Sequence, residues 1–258
     1  DFRNPEVRKY CRDVVDRLIN DYGVEYFKVD YNVTMGYGSD LNSDSCADAI
    51  REHYECLHQW YEEIFRDHPE LVVENCGSGG QRMDYGMLKI LSLQSTSDLY
   101  NANIAANVAS AVTPEQGGMW VYPYEDEEEH VIYNVVNGML LRPYISGMVW
   151  KLGENSMNRM KEGISLYKEI REEVRDGVPF FPLGFGTLKS EVLAYGVKAE
   201  KNTYLSVWTP GTTEAVIPLE NADQISRVSV IYPKEEMCEY KIENGNLVVK
   251  MPQEKAAR

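Results

Sequence analysis

Long apolar runs are missing from this sequence: no stretch approaches the ~20 residues that a membrane-spanning helix requires, so no membrane role is expected. Basic side chains are scarce too. There are 26 Lys and Arg against 41 Asp and Glu, for a formal charge of -15 and a pI near 4.8. That field repels phosphate, which disfavours nucleic acid and anionic membranes as partners and suits a neutral substrate. The five cysteines, Cys11, Cys46, Cys56, Cys76 and Cys238, are scattered and form no C-x-x-C pair. Neither a disulfide framework nor a zinc ribbon is therefore expected, and a reducing, cytoplasmic setting is the plain expectation. The start at Asp1-Phe2-Arg3, without Met, reads as the interior of a longer protein and carries no targeting pattern.

Histidine is the next shortage. His53, His58, His68 and His130 all fall in helix-like stretches rather than at strand ends, which leaves little support for a histidine metal site or a Ser-His-Asp arrangement. Phosphate-binding signatures are absent as well: the glycine-rich segment after Glu74 lacks the P-loop lysine with Ser or Thr, and no G-x-G-x-x-G opens a helix. No cofactor and no metal are expected.

What is present is a globular composition, 43% hydrophobic and 26% charged over 258 residues, enough for one barrel-sized domain or two smaller ones. Asn4 before Pro5 is an N-cap with proline at the first helical position. Apolar residues at Val7, Cys11, Val14, Val15 and Leu18 then keep helical spacing as far as Gly23. A buried strand ending at Asp30 and a polar loop over 31–45 follow. The pattern recurs: helix 47–67, strand 71–74, glycine loop 75–80, strand 92–94, helix 102–112, strand 119–122, helix 127–140, strand 145–149 and helix 157–174. Alternating strands and helices imply parallel crossover units, here strands about four to eight of a (β/α)8 TIM barrel over residues 1–178. Beyond Gly177-Val178-Pro179 the texture changes to short runs at 192–197, 204–209, 214–218, 227–232, 238–242 and 247–251. Residues 179–258 are thus expected to form an antiparallel β-sandwich domain, and the fold class is α/β.

Catalytic groups of such barrels sit at the C-terminal ends of strands. Asp30 ends the first strand, and Lys28, two residues earlier on the same side, would hold its carboxylate ionised. On position alone Asp30 reads equally well as a turn residue. The loop Glu74-Asn75-Cys76-Gly77-Ser78-Gly79-Gly80-Gln81-Arg82-Met83-Asp84 lets backbone amides approach a ligand or simply makes a tight turn. Asp98 follows Ser95-Thr96-Ser97. Two facing carboxylates suggest glycoside hydrolysis, retaining at about 5–5.5 Å separation and inverting at about 6.5–9.5 Å. Glu74 and Asp84 read as buried structural acids paired with Arg82. The acidic run at 125–129 reads as a solvated helix start rather than a cation site. Among Trp60, Trp120, Trp150 and Trp208, only Trp120 and Trp150 lie near strand ends, where a sugar could stack; aromatic residues mostly fill cores.

Taken in order, Asn4-Pro5-Glu6-Val7, Tyr26-Phe27-Lys28-Val29-Asp30-Tyr31-Asn32, Glu74-Asn75-Cys76 through Arg82-Met83-Asp84-Tyr85-Gly86-Met87-Leu88, and Thr96-Ser97-Asp98 resemble glycoside hydrolase family 36. The resemblance implies a (β/α)8 catalytic barrel with a C-terminal β domain, and retaining cleavage of terminal α-galactosides or α-N-acetylgalactosaminides in an oligosaccharide substrate. It carries the nucleophile onto Asp30 and the general acid/base onto Asp98. Substrate contacts fall on Lys28, Asn32, Cys76, Gly79 and Arg82, with Cys76 and Gly79 near the sugar's 2-substituent. Assembly into a homo-oligomer is also implied. Departures are Val29 and Val33 where Trp and Arg are usual, the Gly77-Ser78 order, and Leu99 in place of a second Asp; these leave the sugar and the linkage open. Family groups that read the 4- and 6-hydroxyls come from earlier strands, outside this chain. Two further readings stand beside this one. A metal-assisted barrel would use Asp30, Glu74 and Asp98 to hold Mg²⁺, and a non-catalytic scaffold would bind carbohydrate without cleaving it.

Overall fold

The first helix, α1 (Pro5–Tyr22), begins and ends as its flanking residues dictate. Asn4 accepts a hydrogen bond from the Glu6 N–H, and Gly23 closes the helix in the left-handed conformation at φ 68. The computed structural model describes residues 1–34, 36–235 and 237–258. The chain divides into two compact units, Asp1–Ser95 and Thr96–Arg258.

In the first unit α1 leads to β1 (Tyr26–Asp30), α2 (Cys46–Asp67), β2 (Val72–Cys76), α3 (Tyr85–Ile90) and β3 (Leu93–Ser95). β1 pairs with β2 and β2 with β3, both parallel, with Lys28 opposite Glu74 and Asp30 opposite Cys76. Every strand is therefore reached by a helical crossover, as parallel pairing requires. The core forms where one stripe of α2 (Leu57, Trp60, Ile64) meets Leu71, Val73, Met87 and Leu91, with Val15 and Ile19 of α1 packed against it. Burying a Leu57 or an Ile64 contributes about 1.5–3 kcal/mol each. Phe27 and Val29 of β1 also pack on this core. Alternation then sends Tyr26, Lys28 and Asp30 to the opposite, exposed face. α3 was not foreseen; Asp84 nucleates it by accepting the Met87 N–H.

The second unit opens with α4 (Ala102–Asn107), β4 (Gly117–Val121), α5 (Glu128–Met139), β5 (Arg142–Ile145) and α6 (Glu154–Asp176), with β4 and β5 parallel. Among the described residues seven strands follow: β6 (Val178–Phe180), β7 (Leu193–Lys198), β8 (Thr203–Thr209), β9 (Glu214–Pro218), β10 (Glu239–Glu243), β11 (Asn246–Lys250) and β12 (Ala256–Ala257). They form two antiparallel sheets, in the order β12-β8-β7-β6 and β10-β11-β9. The architecture is thus the expected one, the β/α units of a (β/α)8 barrel followed by antiparallel β structure. Among the described residues no helix is long and apolar enough to cross a membrane.

Local departures from the sequence reading have identifiable causes. The strand expected at 145–149 lies at Arg142–Ile145 instead. Gly147 takes φ 81, and a Cβ there would come within 2.8 Å of the Pro123 carbonyl oxygen, so the chain turns at that point. No strand forms at 227–232. Tyr232 is instead buried, its hydroxyl donating to the Arg159 carbonyl at 3.1 Å, with its ring against Gly163 of α6. The acidic run is not simply solvated. Glu129 is 6% exposed and holds the buried Arg258 at 2.6 Å, and Glu128 holds Arg159 at 2.9 Å. α5 turns Glu129 inward onto the buried Arg258, while Glu128, one residue earlier and partly exposed, meets Arg159 of α6.

Candidate active site

The parallel register of β1 and β2 sets Asp30 beside Cys76 at the same level of the sheet. The chain then leaves β2 through Gly77, Ser78 and Gly79, the last two with left-handed backbones at φ 43 and 78. This turn aims the Ser78 N–H at the Asp30 carboxylate (3.3 Å) and at the Asn32 amide oxygen (2.6 Å). Gly77 must be small, because a Cβ would meet the Arg82 stem at 3.0 Å and the Tyr31 carbonyl oxygen at 3.1 Å.

Asp30 is held below the ordinary carboxylate range. The Cys76 thiol is the chief cause; desolvation, next in size, opposes it, and the Asn32 amide, the Ser78 N–H and the Lys28 charge add to the lowering. Its carboxylate is therefore ionised at neutral pH. Cys76 shifts the other way. Burial first, and the neighbouring carboxylate second, push its thiol up, so it stays protonated as a donor and is not itself a nucleophile.

Lys28 lies on the same face as Asp30, as the alternation predicts, with its ammonium 3.2 Å from Glu74 Oε1 and 3.5 Å from Ser95 Oγ. Glu74 is 2% exposed, and its second oxygen accepts from the Tyr26 hydroxyl. The expected pairing of Glu74 or Asp84 with Arg82 does not occur, because register sends Glu74 to Lys28 while Asp84 caps α3. Arg82 instead braces the loop after β1: it donates to the Tyr31 carbonyl (2.8 Å), the Val33 carbonyl (2.6 Å) and the Tyr54 hydroxyl, and lies 3.8 Å over the Tyr31 ring. Gly79 accepts the Gly77 N–H at 3.1 Å, which closes the turn.

Sequence reasoning missed several members of this network. Tyr26 could have been found, since it shares the period-two face of Lys28 and Asp30. Asn75 and Gln94, joined at 2.7 Å in the interior, carried no signal, because a buried amide pair depends on which strands are neighbours. Asp98 belongs to the second unit and is exposed. Ser97 Oγ accepts the Leu99 N–H at 3.0 Å, and Thr96 Oγ1 donates to the Gly118 carbonyl at 2.6 Å, which together set the turn that presents Asp98. Trp120 is half-buried edge-on to Tyr144, and Trp150 is 76% exposed. The histidines make internal contacts: His53 accepts the Phe2 N–H, and His68 meets Asp16 at 2.8 Å. Among the described residues no group of three or more His, Cys, Asp or Glu converges where it could hold a metal ion.

Residues 1–142 match the family model described as Melibiase. Alpha-galactosidase AgaA of Geobacillus stearothermophilus is 25% identical over 235 residues, 85% of this chain and 31% of that protein. Alpha-galactosidase Mel36A of Lactobacillus acidophilus is 23% identical over 188 residues, 67% of this chain and 25% of its own length. Among solved structures, the GH36 alpha-galactosidase AgaA from Geobacillus stearothermophilus superposes with a TM-score of 0.72 at 18% identity, covering 98% of this chain and 35% of that one. The galactosidase domain of the alpha-galactosidase-sucrose kinase AgaSK gives 0.70 at 18% identity, covering 100% and 37%. The chain thus spans 25% to 37% of the length of these relatives. With more than half of its residues under the family model and its strands, loops and helices in the matching fold, this chain belongs to the melibiase family.

Proposed function

We propose that this chain contributes the two reacting carboxylates of a retaining exo-α-glycosidase that releases terminal α-linked galactose or N-acetylgalactosamine from oligosaccharides. The observation that carries the reading is the ionised, closely held Asp30 carboxylate at the end of β1, with Cys76, Asn32, Ser78 and Lys28 keeping it charged. An ionised carboxylate is what a nucleophile must be, and four oriented groups leave it little freedom to turn away from an anomeric carbon.

In the first step Asp30 bonds to the anomeric carbon as the glycosidic bond breaks, and Asp98 gives its proton to the departing oxygen. In the second, Asp98 takes a proton from water; the water oxygen bonds to the anomeric carbon and the Asp30 ester is released. Two inversions return the α-anomer. Lys28, Asn32, Cys76 and Gly79 surround the nucleophile as the groups that meet sugar hydroxyls. Arg82, three of whose five N–H donors are engaged by the Tyr31 and Val33 carbonyls and the Tyr54 hydroxyl, holds the loop after β1 in place and has N–H groups left for a sugar hydroxyl. The catalytic portion is taken to end at residue 178, with 179–258 as the β domain. The net charge of -15 and the cysteine usage fit a neutral sugar substrate and a reducing compartment. AgaA variants have been solved with raffinose and with stachyose, and oligosaccharides of that class are the natural first substrates here.

The test is hydrolysis of p-nitrophenyl α-galactoside and α-N-acetylgalactosaminide by the intact protein, with the product anomer followed by NMR. The α-anomer is expected first. Azide added to the Asp30→Ala variant should yield the β-glycosyl azide; an Asp30→Ala variant that turns over like the parent would sink the assignment.

A further inference from the structure

The second unit contains a cavity of about 510 Å³ that neither Asp30 nor Asp98 lines. Its size lies within the range of about 300–1,000 Å³ typical of small-molecule sites. One wall comes from the segments just ahead of α4 and α5 and from the first turns of α5; the facing wall includes Thr187, Leu188, Ser190 and residues 253–255 of the β region.

The α5 side is aromatic and amide-rich. Tyr100, stacked on Tyr122 at 5.0 Å, and Tyr124, 47% exposed and edge-on to His130 at 4.1 Å, offer ring surface. Asn134 also lines the cavity. It is 2% exposed, and its amide nitrogen donates to the His130 carbonyl at 2.9 Å, which fixes the orientation of the amide. Its Oδ1, however, is buried and receives no hydrogen bond among the described residues. A buried acceptor left without a donor costs about 1–3 kcal/mol, and a ligand hydroxyl would recover it. His130 Nε2 accepts the Tyr124 N–H at 3.3 Å, so its proton lies on Nδ1, and burial lowers its pKa and favours the neutral ring.

The rim decides the ligand's charge. Among the lining residues Glu125, Glu127 and Glu254 outnumber Lys255, and Gln253 leans on Glu127 at 3.3 Å. Phosphorylated or carboxylated compounds are repelled, whereas a neutral polyol finds carboxylates and amides to bond its hydroxyls and tyrosine rings to cover its C–H face.

From this juxtaposition of tyrosine faces, an unsatisfied buried amide oxygen and an acidic rim, the structure assigns a second, non-catalytic site for a neutral mono- or disaccharide. The site itself stands apart from the proposed hydrolysis; only the choice of a galactoside as first probe rests on that reading.

The experiment is hydrogen exchange by mass spectrometry on the intact protein carrying Asp30→Ala, with melibiose as the probe. Slower exchange is expected in peptides covering 124–134 and 253–255. Tyr124→Ala, which trims an exposed ring, should abolish that protection while leaving protection around 74–80, and hydrolysis in the Asp30 background, unchanged. Protection confined to 74–80, or protection of 124–134 that survives Tyr124→Ala, overturns the proposal. So does protection by tetramethylammonium and not by melibiose, which would make the cavity a cation cage. If Asp30→Ala still hydrolyses p-nitrophenyl α-galactoside, the catalytic reading fails and the protection at 124–134 and 253–255 is judged on its own.

Discussion

The two carboxylates given to catalysis sit in opposite kinds of surroundings. Asp30 has a buried thiol, a backbone N–H, an amide and an ammonium arranged around it, and the loop that carries it onward is braced by Arg82. Asp98 stands exposed on a turn held by Ser97 and Thr96. The contrast matches the demands of the proposed roles. A nucleophile has to stay charged and aimed through both steps, which favours several donors. An acid/base has to surrender a proton and recover one, which favours open access to the leaving group and to water.

The sharpest way to break that comparison is to remove the nucleophile. Asp30→Ala should lower kcat at least about 10⁴-fold on p-nitrophenyl α-galactoside, since a nucleophile's loss leaves only binding and electrostatic catalysis. Asp98→Ala should cost less, about 10²–10⁴-fold on unactivated melibiose, the range for general acid–base catalysis. It should cost far less still on the p-nitrophenyl substrate, whose leaving group needs little protonation. Equal losses on both substrates would remove Asp98 from the acid role.

Arg82→Met comes next. Taking the guanidinium from the Tyr31 and Val33 carbonyls should destabilise the fold by about 1–3 kcal/mol in urea unfolding. If Arg82 braces the loop, kcat should fall with KM little changed. A rise in KM alone would make it a sugar contact after all.

The smallest effect is expected for Cys76→Ala. Because the Asp30 carboxyl is lowered in the folded protein, its charged form is present at and above its ordinary range and is lost as pH falls through the lowered value. Removing the thiol donor raises that value, so the acid limb of kcat/KM should move to higher pH. An unmoved limb would show that the thiol does not govern the ionisation of Asp30.

Much of this was legible along the chain because the relevant physics is local. Asn4, Pro5 and Gly23 bound the first helix through capping and φ preferences that need no distant partner. The alternation Tyr26, Lys28, Asp30 follows from strand geometry alone, and it puts the lysine on the same face as Asp30. Glycines at 77 and 79 marked a tight turn, since few other residues tolerate its backbone.

Other features depended on partners far away in sequence. Whether Glu74 would meet Arg82 or Lys28 was decided by the register of two strands, and Arg82 was free for the Tyr31 and Val33 carbonyls only because that register sent Glu74 elsewhere. Glu129 reads as one of several surface acids until Arg258, more than a hundred residues later, is brought to 2.6 Å from it. The cavity beside Asn134 is assembled from the beginnings of two helices and loops of the β region, and nothing in the local pattern of 100–134 announces 253–255 as its other wall. The sequence by itself determined how the first helix begins and ends, which face of β1 is apolar, and that Asp30 stands at a strand end, all properties of a few consecutive residues. Which charges pair, which donor holds Asp30 ionised and where a ligand-sized space opens were decided only by the tertiary structure, because each is a contact between atoms that the chain itself holds far apart.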